Sequence, residues 1–130
     1  MATWSFRCYG TKKPNSWQKW FDVQSVTVKA KHDQVFDILE QRPQAQWTPP
    51  YAKKLKGGTV PLWEILITKG VAWRVFGWFS GEWEFTVTGI GYHKDQAYDP
   101  RHIIETSRRR RTEIDASKLE VTSCARPETP

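Results

Sequence analysis

Between positions 62 and 91 the chain carries three runs of strand-forming residues with almost nothing between them. Leu62 to Thr68 and Val71 to Phe79 are separated only by Lys69 and Gly70, and Trp83 to Gly91 follows Ser80 and Gly81. Spacers this short cannot hold a crossover connection, so consecutive runs must fold back on each other as antiparallel hairpins. A three-stranded meander is therefore the scaffold on which everything else is arranged.

The flanking segments supply the other elements. Thr3 to Tyr9 alternates aromatic with small or polar residues and reads as a further strand, ended by Gly10 and Pro14. Asn15 or Ser16 caps a short helix whose Trp17, Trp20 and Phe21 fall on one face. From Val26 to Gln41, Val28, Val35, Ile38 and Leu39 stand at helical spacing opposite Lys29, Lys31, Asp33, Asp37 and Glu40, although Val23 to Val28 is more β-branched than a helix prefers. Pro43 stops it, and residues 43–61, with four prolines and two adjacent glycines, read as a loop. Asp99 with Pro100 starts a helix over His102 to Glu113. The expected fold is α+β: a small antiparallel sheet, made of the amino-terminal strand plus the meander, with helices packed on one face. Residues 1–114 form one domain, and 115–130 form a flexible polar tail in which Lys118 to Thr122 offers an edge strand.

At 130 residues and 38% hydrophobic content there is apolar material for one core, with eight Trp as its filler, some of them partly exposed. Twenty Lys and Arg against fourteen Asp and Glu give a net charge of +6, which favours a polyanionic partner. No apolar run is long enough to span a bilayer and no secretory signal is visible, so the expected compartment is the cytoplasm, without a membrane. Cys8 and Cys124, one near each end, read better as reduced thiols than as a disulfide.

Chemistry-bearing residues gather in three places. Arg74 lies inside a strand, where a guanidinium needs either a counter-charge, such as Glu64 on the adjacent hairpin strand, or a phosphate to grip. Tyr92, His93 and Lys94 close the last strand of the meander and combine a phenol, an imidazole and an ammonium. Lys53, Lys54 and Lys56, between Tyr51 and Gly58, form a basic loop suited to a phosphate backbone or simply to solvent. Arg108 to Arg111 point all round a helix and complement its dipole rather than touching one ligand. His32, His93 and His102 are scattered, so neither a metal site nor a cofactor motif is expected.

Four segments in order, PYAKKLKGG at 50–58, LWEILI at 62–67, WRVFGWF at 73–79 and GYHKDQAYDPRHIIETS at 91–107, resemble the RelE and HigB superfamily of bacterial toxins in its phage-derived branch. The resemblance covers the carboxyl-terminal half best. It implies a RelE-like fold and the toxin of a toxin–antitoxin pair, acting as a ribosome-dependent, metal-independent endoribonuclease that cuts messenger RNA and inhibits translation. By position, Arg74 would stabilise the phosphorane charge, and Lys53, Lys54 and Lys56 would hold the RNA. His93 would be general base or acid, Tyr92 would orient the nucleotide, and Lys94 would neutralise the phosphate. The implied partners are the ribosome with its messenger and a cognate antitoxin of helix-turn-helix type. Two rival readings remain on the same residues: a non-catalytic ParE-like inhibitor of DNA gyrase, and an RNA-binding accessory protein.

Overall fold

The structure is a computed structural model that describes residues 3–10, 16–56, 60–69, 71–94, 97–99, 101–115 and 121–123. The meander is present as β3 (Trp63–Lys69), β4 (Val71–Gly81) and β5 (Glu84–Lys94). Around it stand β1 (Ser5–Tyr9), α1 (Ser16–Asp22), α2 (Val26–Glu40), β2 (Ala52–Lys54), β6 (Ala97–Asp99), α3 (Ile103–Asp115) and β7 (Val121–Ser123). The described residues thus form a small α+β molecule with one mixed sheet and three α-helices.

The strand order is β2-β3-β4-β5-β1-β7, with β6 also paired to β5, so the sheet exceeds the four strands expected. It is mixed rather than antiparallel because β1 runs parallel to β5, Phe6 opposite Phe85. The three additional strands are each three residues long, too short for periodicity to reveal. One of them, β2, lies in the segment read as loop and sets Lys53 opposite Glu64 on β3. Another, β7, occupies part of the segment expected to offer an edge strand and pairs with β1, Cys8 opposite Thr122. Residues 116–120 and 124–130 of the expected tail lie outside the described residues. Cys8 is disulfide-bonded, which corrects the reading of a reduced thiol, and Cys124 lies outside the described residues.

The helices do not share one face. Strand residues alternate sides, and Ile65, Ile67, Val75, Phe85 and Val87 join Phe6 and Cys8 in a core with Trp17 and Phe21 of α1 and Val35, Phe36 and Leu39 of α2. The opposite side of the sheet holds Glu64, Phe76, Trp78, Thr86 and Thr88, and α3 packs there, its Ile103 and Ser107 against Gly89. The expectation of helices on a single face is therefore corrected to a layer on each. The cause is visible in α3, whose sheet-facing residues include arginines. Arg110 Nη1 donates to the Thr88 carbonyl at 2.7 Å, with its guanidinium 4.1 Å from the centre of the Tyr9 ring. Arg111 lies over Trp78 and donates to the Pro61 carbonyl, and Arg108 Nε donates to the Val60 carbonyl at 3.2 Å. Guanidinium stems cover apolar surface while their heads bond backbone oxygen, so a sequence with low hydropathy still buries a side. Burial holds the Arg110 guanidinium below the ordinary arginine range, with Tyr9 opposing that shift.

The core is aromatic. Trp4, Trp17, Trp47 and Trp78 are buried and the other four indoles are half-buried, so none is freely presented to solvent. Trp4 and Trp47 both donate to the Arg42 carbonyl, at 2.6 and 3.1 Å, which satisfies two buried N–H groups with one acceptor. Trp17 donates to Nε2 of the buried His32 at 3.1 Å, joining α1 to α2. The β-branched start of α2 is tolerated because the Ser25 hydroxyl caps it by accepting from the Val28 amide.

Candidate functional site

Adjacent residues of a strand face opposite ways, and that rule sorts the expected site. Arg74 pairs with Leu66 on β3 and Gly91 on β5, and the next β4–β5 pair on the same side is Ala72 with His93. Arg74 and His93 therefore share the side of the sheet that carries Glu64 and Phe76. Tyr92 is on the other side, edge-on to Trp73 at 5.3 Å, and Trp73 in turn meets Trp20 of α1. The structure thus brings together Arg74 and His93 and separates Tyr92 from both. Lys94 continues the strand opposite Ala97, and its side chain lies outside what is described.

The basic segment divides in the same way. Lys53, opposite Glu64, lies on the Arg74 side, whereas Lys54, opposite Trp63, lies on the other, and Lys56 is exposed beyond the end of β2. Only Lys53 stands with Arg74.

The centre of the cluster is a residue the sequence offered only as a counter-charge. Glu64 is fully buried, its Oε1 3.3 Å from Lys53 Nζ and 4.0 Å from Arg74 Nε. Its Oε2 accepts a 3.1 Å hydrogen bond from the Tyr98 hydroxyl. Oε1 itself accepts no hydrogen bond of good geometry, so Lys53 and Arg74 pair with it through charge. A buried carboxylate is tolerated only with such compensation. One negative charge against two positive ones leaves the cluster cationic. Arg74 is only 15% exposed and is held in place by donation from Nη1 to the Trp73 carbonyl at 3.0 Å and the Thr68 hydroxyl at 3.4 Å.

Tyr98 is the second residue that sequence reasoning missed. It projects from β6, opposite His93, on the side of β5 away from β4. To reach Glu64 its ring must cross β5, where Gly89 and Gly91 are the residues on this side and raise no side chain in its path. The ring lies 4.9 Å from His93 and 5.5 Å from Phe76. Its pKa is pushed up to about 12, first by burial and then by the charge and hydrogen bond of Glu64, with Arg74 opposing. The phenol therefore stays a donor. No signal in the sequence marks it, since a three-residue strand has no readable period.

Chemically the cluster combines a guanidinium held by hydrogen bonds, a half-exposed ammonium, an imidazole and a buried carboxylate with its phenol. Such a set can bind an anion and move a proton beside it. Among the described residues no group of three His, Cys, Asp or Glu side chains is placed to hold a metal ion, and no helix is long and apolar enough to cross a membrane. Compared with protein-family models, with curated proteins and with solved structures, the chain matches none.

Proposed function

We propose that this protein is an endoribonuclease of the RelE-like toxin type, which cuts messenger RNA on the ribosome by attack of a ribose 2′-hydroxyl and so stops translation. The observation that carries the reading is that Arg74 and His93, on neighbouring strands two register positions apart, share a cationic sheet face with Lys53. A phosphodiester resting there meets a guanidinium suited to two of its oxygens and an ammonium beside it. In the reaction the O2′–P bond forms and the P–O5′ bond breaks. His93 takes the proton from the 2′-hydroxyl and returns one to the departing 5′-oxygen, leaving a cyclic phosphate and a 5′-hydroxyl. Arg74 and Lys53 counter the charge that grows on the pentacovalent phosphorus, so the chemistry asks for no metal.

Tyr92 belongs to the opposite side of the sheet, so this reading gives it no contact with the same phosphate. The ribosome would deliver the messenger, and a cognate antitoxin would restrain the protein between uses. Purified protein incubated with programmed ribosomes should produce discrete messenger cleavage. Arg74→Ala and His93→Gln should each slow it by about 10² to 10³-fold, the usual scale for losing one charge-stabilising donor or one proton-transfer group. Cleavage undiminished in both variants, or protein-dependent DNA breaks trapped on gyrase in place of RNA cleavage, would remove the nuclease reading.

A further inference from the structure

The face just described is already occupied by the protein itself. Lys53 and Arg74, which a phosphate would need, both lie against the Glu64 carboxylate. The ring of Tyr98 lies against His93, and its hydroxyl closes on the same carboxylate. Four strands, β2, β3, β4 and β6, thus converge on one fully buried anion.

A carboxylate between an ammonium and a guanidinium occupies the position that a phosphate oxygen would take between the same two cations. It is fully buried, with the Tyr98 hydroxyl bonded to its Oε2. We propose that Glu64 and Tyr98 form a latch: the carboxylate stands in for the substrate phosphate at Lys53 and Arg74, and RNA engages the face only when Tyr98 has left Glu64. This rests on the reading that the face takes RNA, and it adds how the site is kept shut. The latched protein is a major state that must be displaced, so the measured affinity for RNA is the intrinsic affinity reduced by the fraction of molecules that are open.

Tyr98→Phe separates the two states, because it keeps the ring that packs on His93 and Phe76 but deletes the hydrogen bond to the buried charge. Two measurements on the full chain test it. The first is carbodiimide coupling of an amine to Glu64, read by peptide mass. Glu64 should be protected in the wild-type protein and modified in Tyr98→Phe. The second is equilibrium binding of a 2′-O-methyl RNA pentanucleotide, which cannot be cleaved. Tyr98→Phe should bind it about ten-fold more tightly, the scale of one hydrogen bond to a charged group. Tyr98→Leu, with a matched thermal midpoint, guards against a variant that misfolds.

Glu64 protected in both Tyr98 variants, or RNA bound no more tightly by either, overturns the latch. The underlying RNA reading is judged separately, by whether wild-type binding of the same probe is lost in Arg74→Ala.

Discussion

Tyr98 couples the cluster to alkaline pH. A tyrosine in an unfolded chain titrates near 10, whereas in the folded protein burial, then the Glu64 charge and hydrogen bond, push Tyr98 up to about 12. Between those values the folded state keeps a proton that the unfolded state releases. Its contribution to stability is therefore complete below about pH 10 and is lost as pH rises toward 12. The urea midpoint of the wild-type protein should accordingly fall more steeply across that window than that of Tyr98→Phe, which has no phenol to titrate. Superimposable profiles for the two proteins would mean that Tyr98 is neither buried nor held against Glu64 in solution. The same residue scale shows what alternation could have told. Tyr92 and His93 are neighbours in a strand, so they could not have converged on one phosphate, and period-two geometry alone was enough to separate them.

At the scale of elements, α3 is held to the sheet by its closeness as much as by its arginines. A Cβ on Gly89 would stand 2.3 Å from Ser107 Oγ and 2.9 Å from Ile103 Cδ1, so the glycine is the place where helix and strand nearly touch. Gly89→Ala should cost about 1–3 kcal/mol through overpacking, seen as a lower denaturation midpoint, and Ser107→Gly in the same background should recover part of it. An alanine tolerated without loss would show that α3 does not approach so closely. Most long elements were legible: the meander from its short spacers, α2 from its 3.6-residue period, and the arginine run from its inability to face one ligand. The side of the sheet taken by α3 was not legible, because its buried face is one isoleucine, one serine and the stems of arginines rather than an apolar stripe. Glu64 was visible as a partner for Arg74, but its full burial was not. The phenol that meets the buried carboxylate comes from a strand of only three residues.

For the molecule as a whole, the net charge of +6 overstates what an RNA would meet on the proposed reading. Arg108, Arg110 and Arg111 donate to backbone carbonyls that fix α3 and the segment before β3, and Arg111 also faces Asp115. The charge that matters is then local, Lys53 with Arg74, and local charge has a distinct salt signature. Each phosphate neutralised on a single strand contributes about −0.7 to the slope of log affinity against log salt concentration, so the one phosphodiester held between Lys53 and Arg74 predicts a slope of about −0.7. Lys53→Ala should make the slope shallower, whereas Lys31→Ala, on α2 across the sheet, should leave it unchanged. A slope near −4, as expected if about six cations acted together, and indifferent to Lys53→Ala, would mean diffuse attraction by the whole basic surface. In that case the cluster around Glu64 would be a structural ion pair, and RNA would have to be engaged elsewhere on the chain.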